Sequence, residues 1–110
     1  MGYKQQPYIT PARPKRPCKK NTLNMNISVE LTLTPLQNDY EAPIIAFIKK
    51  LRASGLKVLE NPLSTQVYGD YDTVMTVLKN EGKEALEMTE RGVLLMKIVK
   101  SDRRDYEPHF

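Results

Sequence analysis

The stretch ISVELTLTP, residues 27–35, alternates without a break: Ile27, Val29, Leu31 and Leu33 fall on one side, while Ser28, Glu30, Thr32 and Thr34 fall on the other. Period 2 marks a strand with one buried face, and Pro35, which lacks a backbone donor, ends it. Such a face needs an apolar partner, and the next segment supplies one. Ile44, Phe47, Ile48 and Leu51 recur at the i, i+3, i+4, i+7 spacing of a helix with one apolar stripe. Asn38 and Asp39 precede it as cap candidates. Pro43 is tolerable near the first turn, and Gly55 suits the left-handed residue that closes a helix.

Further along, residues 57–61 read as a short second strand, and Asn61-Pro62 as a turn into a third strand over residues 64–69. Strands joined this tightly pair antiparallel. Asp70 and Asp72 are cap candidates for a second helix, in which Val74, Val77, Leu78 and Ala85 form a stripe interrupted by Gly82. After Gly92, Leu94, Met96 and Ile98 alternate with Leu95, Lys97 and Val99. The order strand, helix, strand, strand, helix, strand predicts an α+β fold of the ferredoxin-like βαββαβ type. Its two helices cover one face of a four-stranded antiparallel sheet.

The chain of 110 residues holds one domain at most, assigned to residues 25–110. Residues 1–24 carry six basic side chains, no acid and four of the eight prolines, so a disordered, dispensable basic extension is expected there. The excess charge of +4 and the pI near 9.2 come from that extension, because the rest holds eleven basic against thirteen acidic residues. A basic nucleic-acid-binding surface on the folded part is therefore not expected. One cysteine, Cys18, excludes an intramolecular disulfide and a cysteine zinc site. No apolar run approaches the roughly 20 residues of a membrane helix, and no apolar segment follows the basic start as in a secretory signal. The cytoplasm is the expected location, with no membrane partner.

GxGxxG, GxxxxGK[ST], HExxH and GxSxG are all missing, and the one histidine, His109, is the penultimate residue. Glu81, Glu84 and Glu87 interleave with Lys79 and Lys83 as a solvated helix face. Catalysis is not expected. The uncovered sheet face would carry Ser28, Glu30, Thr32, Gln66, Tyr68, Leu95, Lys97 and Val99. Sequence-specific RNA recognition by such a face relies on aromatic residues of the central strands, and Tyr68 alone is available. A face of this mixture can be solvated, pair with a copy of itself, or bind a small ligand.

Three segments, VELTLTPL (29–36), LSTQVYGD (63–70) and KIVKSDRRD (97–105), resemble in order and spacing the signatures of the small thiamine-binding protein family. The resemblance covers residues 25–105. It implies a ferredoxin-like fold, association through sheet faces into dimers or tetramers, and binding of thiamine or its hydroxymethylpyrimidine half without a demonstrated reaction. No cofactor beyond that ligand is implied. Tyr68 departs from the pattern, standing where many relatives carry an acid, and Glu60 stands where relatives tend to be apolar. The basic extension has no counterpart.

An aminopyrimidine presents an exocyclic amine as donor and ring nitrogens as acceptors, so its site needs a fixed acceptor and nearby donors. Glu30 is the candidate acceptor; Thr32, Ser64, Gln66 and the Tyr68 hydroxyl are candidate donors. With Thr65 from the second signature and Lys97, they form the candidate ligand-binding set. A carboxylate and an aromatic face also suit the positive thiazolium, whereas Lys97 opposes it unless paired with Glu30. Each residue has a structural alternative: a cross-strand Glu30–Lys97 ion pair, ordinary strand roles for Thr32 and Gln66, an interface role for Tyr68. Asp102, Arg103 and Arg104 are expected to anchor the end of the last strand or bridge subunits. The competing function is a regulatory or structural interaction module of the same fold without a pocket. An acylphosphatase-type enzyme ranks last, since residues 36–39 lack the glycines and arginine of a phosphate-binding loop.

Overall fold

A computed structural model describes residues 25–110. The expected disordered extension over residues 1–24 lies outside the described residues. Six elements follow in the order β1 (Asn26–Pro35), α1 (Glu41–Arg52), β2 (Lys57–Glu60), β3 (Thr65–Asp70), α2 (Tyr71–Glu87) and β4 (Gly92–Val99). The strands form one antiparallel sheet ordered β2-β3-β1-β4, which is the ferredoxin-like arrangement. β1 lies between β3 and β4, and its alternating Ile27, Val29, Leu31 and Leu33 are all buried under the helices. Phe47 and Leu51 of α1, Val74, Leu78 and Ala85 of α2, and Val67 of β3 complete the core. Each Val, Leu, Ile or Phe side chain among them, fully buried, contributes about 1.5–3 kcal/mol.

The turns follow local chemistry. Gly55 closes the α1 connection at φ +89°, in the left-handed region. Asn61 Oδ1 accepts the Leu63 and Ser64 amides at 2.8 and 2.9 Å, which builds the β2–β3 turn. Asp70 caps α2 by accepting the Thr73 amide at 3.1 Å, and the hydrogen bonds from Thr73 hold its carboxyl below the usual range. Glu60 projects to the helix side, where Arg52 at the end of α1 grips it through two contacts of 2.7 and 2.8 Å. That pairing lowers the Glu60 carboxyl and raises Arg52.

The start of α1 differs from expectation. Its N-cap is Tyr40, with no side-chain cap bond, so neither Asn38 nor Asp39 caps it. Gln37 bridges the preceding loop instead, without capping the helix. Its amide donates to the Asp39 carbonyl at 2.9 Å, and its Oε1 accepts the Glu90 amide at 3.0 Å. Gly82 does not interrupt the α2 stripe but lies on it. It is buried between Leu78 and Ala85, where an added Cβ would come within 3.2 Å of Leu94 Cδ2.

Candidate functional site

Register decides which side chains meet on the uncovered face. Glu30 is opposite Gln66 on β3 and Lys97 on β4, Ser28 is opposite Tyr68 and Val99, and Thr32 is opposite Leu95. Directly opposed residues share a face. Glu30, Thr32, Gln66, Tyr68 and Lys97 therefore come together, as alternation predicted. Lys57 on β2 joins them opposite Tyr68. Thr65 does not: it is opposite Leu31 and Glu60 and buried on the helix side. A period of 2 cannot put both Thr65 and Gln66 on one face. Thr65 instead lines a separate cavity of about 290 Å³ between α1 and residues 61–64.

Gln66, Ser64 and Glu30 form a connected chain of hydrogen bonds, with Lys97 beside it. Gln66 Nε2 donates to Ser64 Oγ at 3.0 Å, and Ser64 Oγ donates to Glu30 Oε2 at 2.9 Å. The other carboxylate oxygen lies 3.9 Å from Lys97 Nζ, too far for a hydrogen bond. With the Lys97 side chain 71% exposed and that of Glu30 46%, this pair adds little stability. Its significance is positional, because a carboxylate with an unsatisfied oxygen stands mid-sheet.

The end of the chain covers one side of this face. Ser28 Oγ donates to the Ser101 carbonyl at 2.7 Å and accepts the Arg103 amide at 2.8 Å. Asp102 Oδ1 accepts the Arg104 amide at 3.0 Å, tightening the turn, and its carboxylate pairs with the Arg104 guanidinium at 3.0 Å. The Arg104 amide and side chain hold the Asp102 carboxyl below its usual range. Arg104 itself lies over the Tyr68 ring, 5.7 Å from its centroid. Beneath this clasp Tyr68 is only 7% exposed. Burial first, and then the Asp102 charge, push its phenol up, so the hydroxyl stays protonated and able to donate. The anchoring role expected for residues 102–104 is observed. Ser28, its receptor, was not among the candidates, and nothing near residue 28 announces a partner 73 positions away.

Two depressions flank the Glu30–Lys97 pair. One, of about 150 Å³, is lined by Ser28, Glu30, Gln66, Tyr68, Lys97, Val99 and Arg103. The other, of about 270 Å³, is lined by Glu30, Thr32, Leu95, Met96 and Lys97. The first offers hydrogen-bonding groups, and the second an apolar wall beside a carboxylate. Among the described residues no three His, Cys, Asp or Glu side chains gather to hold a metal, and no helix is long and apolar enough to cross a membrane.

Comparison with known proteins gives a family from the sequence and a fold from solved structures. The model of a family described as thiamine-binding protein matches residues 29–110, the C-terminal clasp included. Among solved structures, a Streptococcus pneumoniae protein aligns at 24% identity and TM-score 0.67, covering 71% of this chain and 89% of its own. A Thermotoga maritima protein provisionally assigned to thiamine biosynthesis/salvage aligns at 23% identity and TM-score 0.64, covering 69% and 84%. A hypothetical protein of Methanocaldococcus jannascii aligns at 25% identity and TM-score 0.61, covering 76% and 86%. No curated protein sequence matches.

Proposed function

Because the chain belongs to the thiamine-binding protein family, we propose that it binds thiamine or its hydroxymethylpyrimidine half on the open sheet face, without catalysing a reaction. It does so as a cytoplasmic homo-oligomer joined through sheet faces, in vitamin B1 salvage or homeostasis. The observation that carries this reading is the position of Glu30, whose carboxylate borders both depressions while Ser64 and Gln66 hold it in place. A two-ring ligand would straddle it. The aminopyrimidine enters the smaller compartment, with Gln66 and the Tyr68 hydroxyl available to its ring nitrogens and Glu30 to its amine. The second ring lies over Leu95. Thr32 and Lys97 border that second compartment. Oligomer formation would cover Leu95, which is 60% exposed, and Val93, 43% exposed, on the same face.

Titration calorimetry of the full chain with thiamine and separately with hydroxymethylpyrimidine, with mass determined by light scattering, tests the proposal. Saturable binding by an oligomer is the expected result. A folded oligomer that gives no heat with either ligand would replace this reading with that of an interaction module.

A further inference from the structure

The charges around the smaller compartment do not suit a cation. Glu30, Lys97 and Arg103 line it together, and Lys57 stands on the same face opposite Tyr68. One oxygen of Glu30 is already taken by Ser64. Lys97 lies 3.9 Å from the other and is largely exposed, so its three donors are unspent. Arg103 uses its backbone amide to grip Ser28, and its guanidinium has no ion pair among the described residues. The ring face of Tyr68, where a cationic ligand would stack, is under Arg104. Asp102, the acid nearest Arg104, is neutralised by it. A positive ligand would thus meet like charge from several sides.

We infer that the natural ligand carries a phosphate monoester, held at the compartment's rim by Arg103 and Lys97. This inference rests on the proposed pyrimidine-binding role and narrows its ligand class. The compartment, at about 150 Å³, is well under the roughly 300 Å³ at which drug-sized pockets begin, so most of a two-ring ligand would lie outside it. One ring enters, and its substituent projects past the two cations. A phosphate monoester at neutral pH carries about −1.5 to −2 charge and three strong acceptors. A guanidinium fork matches two of them, and a flexible ammonium reaches the third. On a two-ring ligand the phosphate would also offset the thiazolium charge that the surrounding cations oppose.

Calorimetric titration of the full chain with hydroxymethylpyrimidine, its phosphate monoester, thiamine, thiamine monophosphate and inorganic phosphate separates the outcomes. Each phosphorylated ligand is expected to bind about 10- to 100-fold tighter than its parent, the span of a charge-assisted hydrogen bond, with the advantage shrinking as salt is raised. Arg103→Gln and Lys97→Gln should each reduce the ratio. Parents that bind as tightly as their phosphates, or a ratio that survives both substitutions together, would overturn the phosphate assignment while leaving the pyrimidine site standing. Failure of all four organic ligands to bind would remove the site and this inference with it.

Discussion

Glu30 shows how a solvent-facing strand residue becomes a recognition group. Alternation aims it outward, register sets Gln66 and Lys97 on either side, and the turn after β2 delivers the Ser64 hydroxyl to one of its oxygens. Glu30→Gln keeps the shape and removes the charge. Pyrimidine affinity should fall by about 1–3 kcal/mol, as for a lost charge-assisted hydrogen bond, with an unchanged melting temperature. Calorimetry showing equal affinity would take Glu30 out of the site. Asp102 is a second residue with a defined sign. Its carboxyl is held low in the folded state by the Arg104 amide and side chain. The stabilisation it lends the clasp is therefore present above the ordinary carboxylate range, about pH 4, and is lost as pH falls through the depressed value. NMR shifts of the Arg103 and Arg104 amides should be flat near neutrality and move toward mobile values in acid. Asp102→Asn should start from the mobile values at neutral pH, and an identical acid profile in that variant would refute the linkage.

Among the elements, those whose patterns are short-range were legible in advance. Period 2 in residues 27–33 and the helical stripe from Ile44 to Leu51 each state which side is buried, and the sheet order followed from them. What was not legible depends on partners far away in sequence. The loop before α1, left without a side-chain cap, is tied by Gln37 to the Glu90 amide, 53 residues on. Ser28 receives the clasp from residues 101 and 103. Gly82 looks like a flaw in the α2 stripe until Leu94 is seen against it. Thr65 is a different case, since the alternation that placed Gln66 outward already placed Thr65 inward. The Gly82 contact gives a prediction for the helix–sheet joint: Gly82→Val overpacks it and should cost about 1–3 kcal/mol in chemical denaturation. A variant as stable as the parent would mean that Leu94 moves aside freely. In contrast, Leu51→Ala empties a fully buried position and should cost about 2–5 kcal/mol.

For the whole molecule, β4 concentrates exposed apolar side chains in one strand. Val93 and Leu95 lie on the open face, Met96 and Ile98 on the other, and all four are more than a third exposed. If the proposed oligomer joins through sheet faces, Leu95→Glu should shift light-scattering mass toward the monomer without lowering the melting temperature. Retention of the parental mass would move the interface elsewhere. The central place of β1 carries another consequence, concerning synthesis. Among the described strands β1 leaves the ribosome first, yet its longest ladder, from Ser28 to Pro35, is with β4, the last of them to be made. One edge of the most buried strand thus waits, unpaired, while α1, β2, β3 and α2 are translated. Contacts between segments so distant in sequence form slowly, and an open apolar edge on a nascent chain invites pairing with its neighbours on the same polysome. A chain stalled before Gly92 should be a strong client for chaperones, and the same chain extended past Val99 should release them.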